Sequence, residues 1–235
     1  MNEQCDYPKE IRHTCQMNTN GVLVVEDDAF TRSALCAALR QHDVHVLGEA
    51  SSVAEAIKST IELQPSAVLI DIDLGKGPTG IDLSHALCEA IPNIGIIFLT
   101  TYDDPRLLRS NLPPIPEGSE YLVKRNVSNI QFVTDAIDAA IASGEKIARG
   151  QRAISSAVPP EFKQFTDIQI ETLRLVSEGL TNAEIAEARF ISEKSVEQTI
   201  SRIAKILNLS SDAPRNQRVH LARIFFRLTG STPTE

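Results

Sequence analysis

Short apolar runs alternate with helical periodicity over residues 21–143. The runs are 21–25, 44–47, 67–70, 94–99 and 121–123, each bounded by polar or turn-forming residues. Between them, segments near 29–41, 52–64, 81–91, 104–111 and 130–143 carry apolar residues at helical spacing, as in Val133, Ile137 and Ala140 at i, i+4, i+7. Continuous apolar runs are what strands buried on both faces require. Five such strands alternating with five helices predict an α/β domain, a doubly wound five-stranded parallel sheet with its chemistry at the carboxyl ends of the strands.

The periodicity breaks over 144–162, where Pro159-Pro160 is a stiff interruption, and this stretch reads as a linker that can begin as an extension of the preceding helix. Beyond it the pattern is all helical. Thr166-x-x-Gln169 and Thr181-x-x-Glu184 are capping boxes, and Gly179 suits a helix C-cap. Ser192 can cap a third helix whose buried side is Val196, Ile200, Ile203 and Leu207, and a fourth helix starts near Asp212-Ala-Pro214 and runs to about Leu228. Four short helices predict a small all-α domain over 163–230 with a helix-turn-helix at its centre. No internal repeat or low-complexity tract is visible.

Composition changes the picture in two places. The net charge of −8 excludes a uniformly basic nucleic-acid coat, but the charge is uneven. Residues 1–159 hold 13 basic and 21 acidic side chains, whereas 189–227 hold 8 basic against 3 acidic. An acidic front and a basic end suggest two domains with different partners. No apolar run approaches the ~18 residues of a membrane helix, and residues 1–20 lack the apolar stretch of a secretory signal. Those residues read as a disordered N-terminal extension. Cys5, Cys15 and His13 match no zinc spacing and are expected to be incidental there rather than a metal fragment. Cys36 and Cys88 read as small core residues of a reducing, cytoplasmic compartment.

At the strand ends of residues 21–143 stand Glu26-Asp27-Asp28, Asp71, Thr100 and Lys124. A parallel sheet brings these to one edge. Clustered carboxylates repel unless a cation is present; Mg²⁺ suits such a site, using one or two carboxylates, waters and a phosphate. A carboxylate can also accept a phosphoryl group. The stretches Val22–Asp28, Val68–Leu74, Phe98–Tyr102 and Tyr121–Lys124 together resemble the receiver domain of bacterial two-component response regulators, a flavodoxin-like fold. The resemblance implies that Asp71 is phosphorylated by a sensor histidine kinase. It implies Asp27 as a direct Mg²⁺ ligand, Glu26 acting through metal-bound water, and the Asp73 main-chain carbonyl as a further ligand beside Asp71. Thr100 and Lys124 would contact the phosphoryl group, and Tyr121 would be the aromatic switch.

Three departures stand out. Arg125 replaces the proline usual after the lysine, the loop after Asp71 is a residue longer and lacks its usual proline, and Pro113, Pro114 and Pro116 cut short the fourth helix.

Residues Phe165–Leu209, with the runs EGLTNAEIA and ISEKSVEQTISRI, resemble the LuxR/NarL-type DNA-binding domain. Lys194, Gln198, Ser201 and Lys205 fall at i, i+4, i+7, i+11, opposite the apolar stripe, as a helix lying in a major groove requires. By family position Glu197, Gln198 and Ser201 face base edges, while Lys194, Ser195, Arg202 and Lys205 suit phosphates. The last helix carries more apolar surface than a small bundle needs, and a homodimer contact is the family expectation.

The combined expectation is a DNA-binding transcriptional regulator, not an enzyme and not membrane-bound, controlled by phosphorylation of Asp71. Two alternatives stand beside it. One is a phosphorylation-independent DNA-binding regulator with a degenerate receiver, which the departures near Asp71 and Lys124 keep open. The other is a haloacid-dehalogenase-type phosphatase, suggested by Asp71-Ile72-Asp73 after a strand. In that family the nucleophile lies on the first strand and the acidic ligands follow, the reverse of the order found here.

Overall fold

The structure, a computed structural model, describes residues 21–109, 111–150, 165–209 and 214–230, with side chains from 217 onward in the last stretch. The expectations for the N-terminal extension, including Cys5, Cys15 and His13, lie outside the described residues.

The N-terminal domain runs β1 (Val22–Val25), α1 (Ala29–Gln41), β2 (Val46–Ala50), α2 (Val53–Leu63), β3 (Ala67–Ile70), α3 (Gly80–Ala90), β4 (Gly95–Thr100), β5 (Glu120–Val123) and α4 (Gln131–Ala148). All strands are parallel, in the order β2-β1-β3-β4-β5. β1, β3 and β4 are buried at every residue. Their two faces feed two cores: one with α2 and α3 through Ala56, Ile81, Leu83 and Leu87, the other with α1 and α4 through Cys36, Leu39, Val133, Ile137 and Ala140. The strand order reverses between β1 and β3, the place where ligands bind in such sheets.

Two expectations are corrected. In place of a helix over 104–111, the chain makes a single 3₁₀ turn, Pro105–Leu107, and among the described residues no further helix or strand precedes β5. Proline at the first position favours one turn, and the prolines that follow supply no amide to continue it. The segment is tied down instead by Arg109 donating to the Gly77 carbonyl and by His85 Nε2 against the Pro114 carbonyl at 2.8 Å. Second, α4, expected to end near residue 143, continues through Gly144 to Ala148, in the extension that the sequence allowed. Gly144 is no breaker: a Cβ there would sit 2.4 Å from the Asn93 carbonyl oxygen, and one on Gly95 would sit 2.9 Å from the backbone of Ala140. Helix and strand meet backbone to backbone at the amino edge of the sheet.

The C-terminal domain comprises α5 (Asp167–Ser177), α6 (Asn182–Ala188), α7 (Glu193–Ile206) and α8 (Pro214–Thr229). Both capping boxes form, and the Ser192 hydroxyl accepts from the Ser195 amide. Leu173, Val176, Ile185, Val196, Ile200, Ile203 and Leu221 make the core. Leu107, from the 3₁₀ turn of the other domain, is a buried member of the same cluster, and Tyr102 packs on it. Its chain neighbour Leu108 packs on the N-terminal domain's core instead.

Candidate functional site

Strand register brings the acidic residues together. Val25 pairs with Ile70, so Glu26 and Asp71 leave adjacent strands side by side; Thr100 pairs with Val123, which places Lys124 next to them. Lys124 Nζ donates to Glu26 Oε2 at 2.7 Å and to Asp71 Oδ2 at 2.6 Å. Glu26 and Asp71 are 3% and 7% exposed, so neither carboxylate is dispersed by solvent. Burial pushes the Glu26 carboxyl above its usual range, and Asp71 and Asp27 add to the rise against the opposing pull of Lys124. Burial also works against the Lys124 ammonium, but Asp71 and Glu26 outweigh it and hold the lysine charged beyond its ordinary range.

The rest of the cluster is arranged around that trio. Asp27 is exposed beside it, with Gly75, at φ +78°, lying 3.6 Å from Asp27 Oδ2 at its Cβ position. Asp71 Oδ1 accepts from the Asp73 amide at 3.3 Å. Gly80 opens α3 directly against Asp71: a Cβ there would lie 2.2 Å from the Asp71 carbonyl oxygen. Thr100 is fully buried, and its hydroxyl accepts from the Tyr102 amide at 3.4 Å rather than bonding to Asp71. Tyr121 lies inward, its hydroxyl donating to the Tyr102 carbonyl at 2.8 Å. Burial, with Asp104 and Asp103 nearby, pushes the Tyr121 phenol well up, so it stays a donor. The Asp73 side chain accepts from the Tyr102 hydroxyl at 3.0 Å.

Among the described residues no three His, Cys, Asp or Glu side chains form a ready cage for a metal. Mg²⁺ needs none, since waters and phosphate complete its shell. Two buried carboxylates sharing one ammonium, with exposed Asp27 beside them, offer all-oxygen donors and net negative charge, which fit that hard cation.

In the C-terminal domain, Lys194, Glu197, Gln198, Ser201, Arg202 and Lys205 are all exposed on α7, and Ser195 is half-buried. Ser195 shares a hydrogen bond with the Ser192 hydroxyl at 2.8 Å. Glu197 and Ser201 also line a cavity of about 350 Å³ with Asn182, Gln217 and Arg218. Not all the basic residues of this domain face outward. Arg189 donates to the Thr172 hydroxyl at 2.8 Å, and Arg218 donates to Asn182 Oδ1 at 2.6 Å and to the Leu180 carbonyl. Lys194, Arg202, Lys205, Arg223 and Arg227 remain exposed.

A set of residues without sequence signal joins the two domains. The Asp103 amide donates to the Leu228 carbonyl at 3.0 Å. Arg125 donates to the Arg227 carbonyl at 3.0 Å and to the Asp103 carboxylate. Arg106 grips Asp104 through Nη2 at 2.7 Å and Asp167 through Nη1 at 2.8 Å. The only sequence clue was Arg125, as the residue standing where a proline is usual.

Known proteins resemble both domains. Residues 22–131 match the response regulator receiver domain family, and 163–228 match the luxR family of bacterial regulatory proteins. The chain is 33% identical over 201 residues to the transcriptional regulatory protein LiaR of Bacillus subtilis, covering 80% of this chain and 91% of LiaR. It is 26% identical over 200 residues to the oxygen regulatory protein NreC of Staphylococcus epidermidis, covering 81% of this chain and 92% of NreC. Among solved structures it resembles a chain from two RcsB dimers bound to two parallel DNAs, with TM-score 0.53 and 20% identity, covering 90% of this chain and all of that one.

Proposed function

Because the chain belongs to the response regulators that join a receiver domain to a LuxR-family DNA-binding domain, we propose that Asp71 is its phosphorylated residue and α7 its groove-reading helix. As a transcriptional regulator of this family it is not an enzyme, and the phosphatase alternative lapses.

The observation that carries the reading is the convergence of Asp71, Glu26 and Lys124 at the carboxyl edge of the sheet. An Asp71 carboxylate oxygen attacks the phosphorus of a donor, a P–O bond forms, and the bond to the leaving group breaks with its electron pair departing. The donor is a phosphohistidine of a sensor kinase. Lys124, already bonded to Asp71, is placed to follow the charge onto the phosphoryl oxygens. Glu26, Asp27, Asp71 and the Asp73 main-chain carbonyl would hold Mg²⁺, which when bound offsets the negative charge shared by carboxylates and phosphoryl group. Thr100 and Tyr121 respond to the new group.

On the output side, the exposed face of α7 meets a major groove. Gln198, Glu197 and Ser201 lie toward base edges, and Lys194, Ser195, Arg202 and Lys205 toward phosphates. A homodimer on two half-sites is the active form, in the cytoplasm. No helix among the described residues is long and apolar enough to cross a membrane.

Intact-mass measurement after incubation with acetyl phosphate and Mg²⁺ tests the reading. The wild-type chain gains one phosphoryl group, Asp71→Asn gains none, and Asp27→Ala gains far less. Equal labelling of Asp71→Asn refutes the assignment, and an unlabelled wild type favours the phosphorylation-independent alternative.

A further inference from the structure

Tyr102 stands two residues beyond Thr100, and each of its polar groups is bonded within the phosphorylation pocket. Its amide donates to the Thr100 hydroxyl, its carbonyl accepts from Tyr121, and its hydroxyl donates to the Asp73 carboxylate. It packs, half-buried, against the cluster that Leu107 shares with the core of the other domain. The next residue, Asp103, bonds the last turn of α8 through its amide and is held by Arg125, which bonds the same turn. Thus both loops that carry pocket residues, one after Thr100 and one after Lys124, end on the carbonyls of Arg227 and Leu228.

We infer that Tyr102 is the coupling residue through which the DNA-binding domain senses the state of Asp71, with Asp103 and Arg125 as the clasp that it opens or closes. The inference rests on the phosphorylation proposed above. A phosphoryl group on Asp71 adds negative charge and acceptor oxygens beside Asp73 and Thr100. Turning the Thr100 hydroxyl toward those oxygens takes it from the Tyr102 amide, a bond already long at 3.4 Å. Added negative charge also repels the Asp73 carboxylate that anchors the Tyr102 hydroxyl. A phenol is rigid, so displacement at its hydroxyl reaches the ring, and the ring lies against a packed core that admits discrete arrangements rather than gradual ones. The exposed α7 face shows that docking leaves the reading residues uncovered. Control therefore runs through the seating of α5 and α8 rather than through masking of α7.

The test uses the full chain. Tyr102→Phe keeps the ring and deletes the Asp73 bond; Tyr102→Ala deletes both. DNA affinity on a duplex selected from random sequence is measured with and without acetyl phosphate and Mg²⁺, and the ratio of the two affinities is the readout. For the wild type a ratio of about 5–150 in either direction is the ordinary range of coupling between two sites. Tyr102→Phe brings the ratio to within about twofold of unity while intact mass still shows full labelling of Asp71. A purely structural role would weaken both states together and leave the ratio intact. Ratios in both variants equal to the wild type, with labelling preserved, overturn the inference. A wild type that takes no label overturns the functional reading itself, and the inference with it.

Discussion

Leu107→Ala removes a side chain that is 1% exposed and that belongs to the C-terminal domain's core although it is carried by the receiver. Truncating a buried leucine costs about 2–5 kcal/mol, from lost transfer energy plus the cavity left behind. The lower part of that range applies here. Leu107 sits on a single 3₁₀ turn, next to a cavity of about 100 Å³ lined by Arg106, Leu112, Asp167 and Ile170, so its surroundings can partly collapse. At roughly 2–3 kcal/mol and tenfold per 1.4 kcal/mol, the amides of α5 and α8 should exchange about 30- to 150-fold faster. The assay is native-state hydrogen exchange in the regime that reports opening equilibria, read peptide by peptide. Amides of β1 and β3 should keep wild-type protection, because Leu107 takes no part in the receiver cores. Leu108→Ala should do the converse. Uniform loss of protection across both domains, or less than a tenfold change in α8, would refute the claim that the two domains share this residue.

Gly80→Ala places a methyl 2.2 Å from the Asp71 carbonyl oxygen, so it should cost about 1–3 kcal/mol by overpacking and lower acetyl-phosphate labelling as well, measured by urea denaturation and intact mass. Gln198→Ala should weaken a selected site by about 1–3 kcal/mol with little effect on random duplex. Lys205→Ala should weaken both alike and reduce the salt slope by roughly one, as read by titrations over a salt series. Because the Glu26 carboxyl is raised, mainly by burial, the folded chain binds its proton more tightly than the unfolded chain does. Stability should then fall as pH rises from the ordinary glutamate range, about 4.3, through the raised value. Melting curves without divalent ions should show Glu26→Gln gaining on the wild type between pH 4 and 7; a constant difference would contradict this.

Most of the pocket was legible because strand-end residues are fixed by register. Once 22–25, 67–70, 95–100 and 120–123 are strands of one parallel sheet, Glu26, Asp71, Thr100 and Lys124 must share an edge. Helix starts were legible for the same kind of reason: the capping boxes at Thr166 and Thr181 satisfy local amides whatever the tertiary context. The helix expected over 104–111 failed because its apolar residues serve two cores at once, Leu107 one way and Leu108 the other. Periodicity detects one buried face, not two. Gly144 sits inside α4 because the close approach to Asn93 leaves no room there for a Cβ. Asp103 and Arg106 carry no sequence signal as residues that join the domains, because loop contacts across a domain boundary leave no repeat in sequence.

The abutment of α4 on β4 through Gly95 and Gly144 leaves no room for a side chain between helix and strand at the amino edge of the sheet. The C-terminal domain docks at the opposite, carboxyl edge, on residues 102–107 and 125, through side chains and a few hydrogen bonds. A sheet sealed backbone to backbone at one end and joined by side chains at the other has its freedom to shift on the side where Asp71 lies.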